Sequence, residues 1–453
     1  MNALHYISAI VTVLAVLAML VMLVIYYYKG GPVKNALKCT LKKDRAKGII
    51  FGKGRPFYFY SPAAAEGHVF VGGGSGTGKT SALLIPTLRS WPGPSICVDI
   101  SGDISKNVET GRKLVYSPTL ADSAPYNIFG PVDDLPEEAD REEALAQLAW
   151  LIMPELQNSS ANAAYFQNGG RAILTAALIW GYHAGLDFIR ICEKITDSSY
   201  TTLFTEIDDS GYAPAIRYIN QFAGNSEQNT AGCKQNVDRA VELFSTNARV
   251  KRSIRRPAPG EIAFSSSSVE DYNVFVMVPD AKLELLGPLL HIITAQVLNY
   301  LADRPSDNKT PILLALDEFV SLGKLEIGPA LRKLRKRHVR IMVLTQSMAD
   351  IDELYTRETR MSMLNNFAFK VILSAGDTDT QKYYADLIGQ VDKLKTSTTS
   401  GSIWNSQSTT ETKATERGYI VEPAELANLG DELILLYPGG HKRLKKNFYY
   451  KRR

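Results

Sequence analysis

Residues 73–80 read Gly-Gly-Ser-Gly-Thr-Gly-Lys-Thr, which fits the pattern GxxxxGK[ST] of loops that hold phosphate groups. A short apolar run at 68–72 precedes this loop, and residues 79–89 have the composition of a helix that the Trp-Pro-Gly-Pro segment 91–94 ends. A second apolar run follows at 95–100. This order of strand, loop, helix and strand predicts a βαβ unit, and therefore a parallel sheet covered by helices.

The loop residues are suited to hold a nucleoside triphosphate. Glycines let successive backbone N–H groups converge on phosphate oxygens, and the start of the following helix adds a partial positive charge. Lys79 should reach the β- and γ-phosphates, and the Thr80 hydroxyl should ligate Mg²⁺. We therefore predict that ATP and Mg²⁺ bind here. The residues assigned to the nucleotide are Gly73, Gly74, Ser75, Gly76, Thr77, Gly78, Lys79, Thr80 and Ser81.

An acidic partner for this loop follows another apolar run. Residues 312–316 read Ile-Leu-Leu-Ala-Leu and predict a buried strand, after which come Asp317 and Glu318. Asp317 would hold Mg²⁺ through water, and Glu318 would polarise the attacking water as general base. Alone, such a run could equally be a strand end with capping acids, but together with the phosphate loop it predicts ATP hydrolysis. The pair argues against small GTPases and most kinases, which do not need the second carboxylate.

Two further features extend the predicted site. A third strand is predicted over 340–344, and Gln346, shortly after it, is placed to sense the γ-phosphate. An ordinary polar residue at a strand end is the alternative. The basic run 332–338, Arg-Lys-Leu-Arg-Lys-Arg-His, lies between the second and third strands. It could project from one subunit into the site of the next, or it could be a solvated helix face.

Composition excludes several other classes of protein. Hydrophobic residues make up 45% of the 453-residue chain, which lets two or three domains bury cores and excludes a disordered protein. The formal net charge of +4 does not by itself indicate a nucleic-acid binder. Four scattered cysteines, Cys39, Cys97, Cys192 and Cys233, form no metal-binding pattern and predict reduced thiols of a cytoplasmic protein.

The N-terminal segment 6–28 has no charged residue and is long enough to cross a membrane as one helix. Tyrosines at 26–28 would lie among the headgroups, and seven Lys or Arg residues against one Asp follow within 29–47. The positive-inside rule then places the bulk of a single-pass protein in the cytoplasm. A cleaved signal peptide is the alternative, but the apolar run is long and lacks an early basic region.

The remaining pattern predicts an α/β domain that is split in sequence. Helical spacing replaces strand-like runs between about 136 and 253, and strand signals resume afterwards. We predict a membrane anchor over 1–30, nucleotide-binding parts over 31–135 and 256–453, and an inserted all-α domain over 136–255.

Three other segments have distinctive compositions. Residues 47–62 predict one or two strands at the edge of the core sheet. Residues 396–415 are rich in Ser, Thr and Gln and predict either a mobile loop or a poorly paired ribbon. The end of the chain, 442–453, carries seven Lys or Arg residues around Phe448, Tyr449 and Tyr450, and predicts a solvated basic tail or a nucleic-acid or lipid contact.

Taken in order, these motifs resemble those of the type IV secretion coupling proteins, the TraG/TraD-like ATPases of conjugation. That family belongs with the FtsK/HerA-type translocases, and the resemblance covers most of the chain. The segment 98–103, Val-Asp-Ile-Ser-Gly-Asp, is similar to the family's Asp-x-Lys-Gly-Glu segment, 317–325 to its acidic block and 345–347 to its third motif. The helical insertion with Tyr165-Phe166 looks like its all-α domain. The resemblance implies a RecA-like P-loop NTPase domain.

The resemblance also implies an assembly and a function. Six subunits would form a ring beneath the bacterial inner membrane, with a central channel for DNA and nucleotide sites at subunit interfaces. The trans-acting arginine maps onto Arg335, with Arg332 and Arg337 as alternatives. The implied partners are DNA bound without sequence preference, relaxase and relaxosome proteins, and components of the type IV secretion channel. ATP hydrolysis would drive relaxase-bound DNA, or a protein substrate, through that channel.

The chain departs from the family pattern at several points, and two other functions fit the motifs. Ser101 stands where the family usually has Lys and Asp103 where it usually has Glu, and one membrane helix is predicted where many members have two. One alternative is an ATP-gated receptor that assembles the channel without translocase activity. The other is an FtsK-like DNA translocase, which would need a DNA-reading winged helix after the motor.

Overall fold

The computed structural model describes residues 36–100, 102–156, 159–325, 327–403 and 406–451, together with Thr12 and Met19. The predicted membrane anchor over 1–30 lies outside the described residues apart from these two, and Ser101 also lies outside them. Among the described residues, Asp280–Asp303 is long and apolar enough to cross a membrane, but 56% of its apolar window is buried in the protein. A core helix has the same properties, so this helix does not indicate a membrane span.

The strands of the described part are β1 (Lys38–Thr40), β2 (Gly48–Gly54), β3 (Phe57–Pro62), β4 (His68–Gly72), β5 (Ser95–Asp99), β6 (Lys113–Tyr116), β7 (Asn273–Met277), β8 (Ile312–Leu316), β9 (Val339–Thr345), β10 (Phe367–Ile372), β11 (Gln390–Ile403), β12 (Ser406–Tyr419), β13 (Glu432–Tyr437) and β14 (Gly440–Lys445). The helices are α1 (Ile85–Ser90, continuing a π-helical start at Lys79–Leu84), α2 (Asp103–Asn107), α3 (Gly130–Asp133), α4 (Glu138–Ile152), α5 (Ala161–His183), α6 (Phe188–Asp197), α7 (Tyr200–Asp209), α8 (Ala213–Asn220), α9 (Glu227–Thr246), α10 (Ala248–Ser253), α11 (Leu283–Asp303), α12 (Ile327–Leu334), α13 (Met348–Leu354), α14 (Arg357–Asn365) and α15 (Thr378–Ile388). Short 3-10 turns lie at Lys43–Arg45, Ser266–Glu270, Asp280–Lys282, Phe319–Leu322, Arg335–Arg337 and Pro423–Ala427.

The chain divides into two compact units. The first combines Met1–Pro92 with Arg340–Arg453, and the second is Gly93–Val339. The sequence predicts an all-α domain over 136–255, inserted between the two parts of the nucleotide-binding domain. These domain boundaries stay a prediction.

The sheet of the first unit has the strand order β1-β3-β2-β14-β13-β10-β4-β9. β10, β4 and β9 run parallel, whereas the strands from β13 outward pair antiparallel. β4 and β9 are buried along their whole lengths, which explains their continuous apolar sequences. The strands predicted over 47–62 are confirmed as β2 and β3 on the outer side of this sheet.

A buried arginine fixes the start of β9 against the segment before β4. Arg340 donates hydrogen bonds to the carbonyl oxygens of Gly67 at 2.8 Å and Pro62 at 3.0 Å, and to the Ser61 hydroxyl at 2.9 Å. Burial lowers the pKa of Arg340 to about 9. These bonds offset part of the cost of burying the charge.

The second unit contains a wholly parallel sheet and a helical region. The strand order is β8-β5-β7-β6, and each neighbouring pair is parallel. The predicted helical region is confirmed by helices from α4 to α10. Side-chain caps explain where five of these helices begin, because each cap accepts a hydrogen bond from a first-turn N–H group. The capping residues are Ser160, Asp187, Ser199, Ser226 and Asn247.

The Ser/Thr-rich segment forms a two-stranded antiparallel ribbon. β11 and β12 pair continuously from Gln390 opposite Tyr419 to Ile403 opposite Ser406. The mobile-loop alternative for 396–415 is therefore wrong. The ribbon alternative is correct in form, but the ribbon is continuously paired rather than poorly paired. Thr is favoured in strands, which explains how a polar segment pairs along its length.

Candidate nucleotide site

The phosphate-binding loop lies between a buried strand and a helix, as predicted. β4 ends at Gly72, and the helix begins at Lys79. Gly76 and Gly78 have φ angles of 72° and 99°, a left-handed conformation that glycine adopts without a steric penalty. The loop therefore folds back directly after the strand, with its tip exposed.

The Lys79 side chain is buried and lies against the start of the loop. Its ammonium group donates hydrogen bonds to the carbonyl oxygens of Gly73 at 2.7 Å and Gly74 at 3.3 Å. The Thr77 hydroxyl donates to the same Gly74 carbonyl at 2.7 Å, which tightens the turn. A cation thus lies at the base of the loop, next to the start of the helix, and both features are suited to a polyphosphate.

Thr80 and Ser81 lie on the first turn of the helix and are half-buried. The helix predicted over 79–89 is confirmed as the π-helical start Lys79–Leu84 followed by α1. The contacts of Thr80 with Mg²⁺ and of Ser81 with a phosphate stay predictions.

Gln346 lies beside the loop because β4 and β9 are parallel neighbours that end at the same edge. Their pairing sets Thr345 opposite Gly72, and the Gly73 N–H donates to the Thr345 carbonyl at 3.2 Å. Gln346 is the next residue and is exposed. The first unit therefore brings the predicted γ-phosphate sensor next to the loop, while the sensing role stays a prediction.

Ser374 flanks the loop on the other side. β10 pairs with β4 so that Ile372 stands opposite Gly72, and the Gly74 N–H donates to the Ser374 hydroxyl oxygen at 3.1 Å. Ser374 could not be predicted from the sequence, because 300 residues separate it from Gly74 and no motif marks it. Only the order of strands in the sheet reveals that the two are neighbours.

A tyrosine fixes the end of β4 from the face of the sheet. A Cβ atom at Gly72 would lie 1.9 Å from the Tyr384 hydroxyl oxygen, so this position requires glycine. Burial raises the pKa of Tyr384, which keeps its phenol neutral. Helix α15, which carries Tyr384, thus supports the strand that leads into the loop.

The acidic pair lies in the second unit, at the carboxyl end of a buried strand as predicted. β8 is buried throughout, and Asp317 is 3% exposed. Glu318 is half-buried and has a left-handed backbone with φ 48° and ψ 55°. This conformation is sterically unfavourable for a residue with a Cβ atom, and residues held in it are concentrated at functional sites. The geometry supports the choice of Glu318 as a candidate catalytic group.

A second buried carboxylate, Asp99, is the last residue of β5, the strand next to β8. β5 and β8 are parallel, so Asp99 and Asp317 lie at the same edge of the sheet. Asp99 is fully buried and accepts the N–H groups of Gly102 and Ser105, both at 2.8 Å. In the segment that resembles the family's Asp-x-Lys-Gly-Glu, this aspartate therefore holds the turn into α2, and the exposed Asp103 starts that helix.

The Cys97 thiol is buried behind these two carboxylates. Burial raises the pKa of Cys97 well above its usual range, and the negative charges of Asp99 and Asp317 raise it further. A thiol held protonated in this way is a poor nucleophile. Cys97 is a free cysteine, which agrees with the predicted reduced thiol.

The predicted trans-acting arginine lies on an exposed turn after α12. Arg332 and Arg335 are exposed and Arg337 is half-buried. The buried Arg304 donates to the Glu270 carboxylate at 2.6 Å and to the Arg337 carbonyl at 2.8 Å. The backbone of the turn Arg335–Arg337 is therefore anchored, while Arg335 on the turn and Arg332 on α12 are exposed. That one of these arginines acts in trans stays a prediction.

The candidate site consists of two groups of residues, one in each unit. Among the described residues, no cluster of three or more His, Cys, Asp or Glu side chains could hold a metal ion. Mg²⁺ usually takes one or two carboxylates together with phosphate oxygens and waters, so the residues present fit that ion. That Lys79 and Thr80 share one nucleotide with Asp317 and Glu318 stays a prediction.

The second unit also contains a cavity of about 980 Å³ between α4 and α11. Its lining is mainly apolar and includes Trp150, Leu283 and Ile292. Lys324 and Lys333 also line it, so the cavity combines a mainly apolar surface with two cations.

Comparison with known proteins places the chain among proteins of conjugation. A family model described as "Type IV secretory system Conjugative DNA transfer" matches residues 31–453. VirD4 of Rhizobium rhizogenes is 25% identical over 371 residues, covering 77% of this chain and 53% of the relative. TraG of Agrobacterium fabrum is 20% identical over 411 residues, covering 86% of this chain and 61% of the relative. The chain thus spans about half the length of the VirD4 relative.

Solved structures of the plasmid coupling protein TrwB share the fold. The complex with ADP and Mg²⁺ matches with a TM-score of 0.66 at 20% identity, covering 85% of this chain and 86% of that one. The complex with a non-hydrolysable ATP analogue matches with a TM-score of 0.68 at 18% identity, covering 90% and 92%. These likenesses support the predicted RecA-like α/β fold.

Proposed function

Because the chain belongs to the type IV secretory system conjugative DNA transfer family, we propose that it is a coupling ATPase that moves DNA, or a protein substrate, into a type IV secretion channel. The observation that carries this proposal is the geometry of the loop over 73–80. It folds back between a buried strand and a helix, around a buried lysine ammonium group.

The residues of the two units supply distinct parts of the chemistry. Backbone N–H groups of the loop and the Lys79 ammonium would bind and orient the triphosphate, and Gln346 would contact the γ-phosphate. Thr80 and Asp317 would hold Mg²⁺, which when bound neutralises charge on the phosphate oxygens. Glu318 would accept a proton from the attacking water.

The solved relatives give independent support for nucleotide binding. TrwB is described in complex with ADP and Mg²⁺, and with analogues of ATP and GTP. The fold of this chain is similar to that of TrwB over 85–90% of its length. The proposal therefore extends to ATP as the bound nucleotide and to Mg²⁺ as its metal ion.

The proposal includes a membrane-bound assembly. The apolar segment 6–28 would anchor the protein in the bacterial inner membrane, with the bulk of the chain in the cytoplasm. A ring of six subunits would place Arg335 of one subunit at the nucleotide of the next, and the central channel would contact the DNA backbone. Relaxase, relaxosome proteins and channel components would be its partners.

The test is ATP turnover by the purified full-length protein in detergent, with and without DNA of mixed sequence. We expect turnover to rise with added DNA and more steeply than linearly with protein concentration, since sites at subunit interfaces need assembly. We also expect the DNA effect to weaken as salt increases, since contacts with phosphates release counterions. Turnover that is proportional to protein concentration and independent of DNA would refute the proposed motor.

A further inference from the structure

The C-terminal aromatic segment, which comprises Phe448, Tyr449 and Tyr450, packs on the helix that follows the phosphate-binding loop. The Tyr449 N–H donates to the Ser81 carbonyl at 3.0 Å. The Arg89 guanidinium lies 5.1 Å from the centre of the Tyr449 ring. Phe448 and Tyr449 are half-buried in this packing and Tyr450 is exposed. The predicted solvated tail therefore does not describe Phe448 and Tyr449.

The helix itself explains why the Ser81 carbonyl takes a partner from so far along the chain. In the π-helical turn, the N–H of Ile85 bonds to the carbonyl of Thr80 rather than to that of Ser81. The next residue, Pro86, has no N–H group to offer. The Ser81 carbonyl is thus left without a donor from its own helix, and Tyr449 supplies one. The sequence of the helix creates a docking point for the aromatic segment.

The docked segment sets an aromatic ring on the last glycine of the loop. A Cβ atom at Gly78 would lie 3.1 Å from Cε1 and 3.5 Å from Cζ of Phe448. The Tyr450 ring lies 5.4 Å from the Phe448 ring, and its residue is 58% exposed. The Lys451 ammonium lies 4.5 Å from the centre of the Phe448 ring. Two rings and a cation therefore stand next to the residues assigned to the phosphates.

We propose that Phe448 and Tyr450 form the wall on which the purine base of the bound nucleotide stacks. The proposal rests on the proposed function, in which the loop binds ATP. Gly78 and Ser81 are residues of the predicted phosphate site, so rings docked on them are within reach of a nucleoside joined to those phosphates. Aromatic rings bind a base through its face, and a neighbouring cation suits the negative triphosphate.

The test compares two ligands that differ only in the nucleoside. The full-length protein is titrated calorimetrically with Mg·ATP and with Mg·tripolyphosphate, which has the phosphates but no base. In Phe448→Leu an apolar side chain still packs against Gly78, but the aromatic face is gone. We expect this variant to bind ATP about tenfold more weakly, in the range of one stacking contact, and tripolyphosphate unchanged.

Two further variants complete the test. Phe448→Trp keeps an aromatic face and should retain ATP affinity. Phe57→Leu, at the start of β3 in the same unit, is a matched control and should leave both ligands unaffected. Tyr450→Leu should weaken ATP binding in the same direction as Phe448→Leu, by a smaller factor.

The other outcomes are equally informative. Equal weakening of ATP and tripolyphosphate in Phe448→Leu would show that the ring only supports the loop, and would overturn the base-stacking proposal. Unchanged ATP affinity together with weaker binding of a single-stranded oligonucleotide would assign the segment to DNA instead, and would also overturn it. Wild-type protein that binds neither ligand would overturn the proposed function itself.

Discussion

Gly78 and Glu318 occupy the same kind of position in the two units of the molecule. Each directly precedes a helix and has a left-handed backbone, with φ 99° and ψ 17° at Gly78 and φ 48° and ψ 55° at Glu318. Glycine adopts such angles readily, whereas a residue with a Cβ atom loses about 1–2 kcal/mol. The left-handed backbone therefore has little steric cost at Gly78, where the loop exposes its backbone. It has a larger steric cost at Glu318, which keeps its side chain.

This difference agrees with the role that we propose for each junction. A phosphate-binding loop works through N–H groups, so side chains there are obstacles. A general base works through its carboxylate, so the side chain must stay even where the backbone disfavours it. Among the described residues, His338 is the other non-glycine residue with a positive φ. Strain is therefore rare in the described part of this chain, and we infer that Glu318 retains it for function.

The largest expected effect tests the carboxylate. Glu318→Gln keeps the size and backbone of the residue but cannot accept a proton. We expect ATP turnover to fall by about 10²–10⁴-fold, because general-base catalysis contributes that much. Affinity for Mg·ATP should stay within about twofold, since roles that hold the triphosphate are assigned to other residues.

Turnover assays and calorimetric titration of the full-length protein check this prediction. Glu143→Gln, on an exposed face of α4, is the matched control and should leave turnover unchanged. Turnover retained in Glu318→Gln would remove Glu318 from the chemistry and leave its strained backbone without a catalytic explanation.

The next effect tests the backbone of the loop. Gly78→Ala adds a Cβ atom at φ 99° and 3.1 Å from the Phe448 ring. We expect a loss of about 1–2 kcal/mol in the free energy of unfolding, together with weaker binding of Mg·ATP. Urea unfolding and calorimetric titration measure the two effects.

A second glycine separates backbone strain from the local contact. Gly185 also has a positive φ, 74°, but a Cβ atom there would meet nothing within 4 Å. Gly185→Ala should therefore lose stability through strain alone and keep full affinity for Mg·ATP. Equal loss of affinity in both variants would mean that the loop does not depend on the conformation of Gly78.

Sequence alone predicted, at both junctions, the strand and the motif that directly follows it in the chain. The strands His68–Gly72 and Ile312–Leu316 were predicted at their observed bounds, because each is a buried apolar run with a clear end. The glycine pattern marks the loop after the first strand, and the Asp-Glu pair marks the acidic edge after the second. These signals are local, so they can be read without knowledge of the sheet.

Contacts between distant segments could not be predicted in this way. Ser374 reaches the loop only because β10 lies next to β4. The Tyr449 N–H bonds to the Ser81 carbonyl, which has no donor from its own helix because Pro86, five residues after Ser81, lacks an N–H group. The left-handed backbone of Glu318 has no sequence signature either, since glutamate is not a residue that favours it.

The smallest expected effect separates the backbone strain at Glu318 from the catalytic role of its carboxylate. Glu318→Gly relieves the left-handed strain, about 1–2 kcal/mol, but gives the unfolded chain extra freedom that offsets about 0.4–1 kcal/mol of this gain. We expect a net gain of about 0.5–1 kcal/mol in the free energy of unfolding, with turnover lost. Glu318→Ala is the matched control, because it removes the carboxylate but keeps the Cβ atom and therefore the strain. Urea unfolding should rank Glu318→Gly above Glu318→Ala in stability. The reverse order would show that this backbone is relaxed, and that the two junctions differ in chemistry but not in strain.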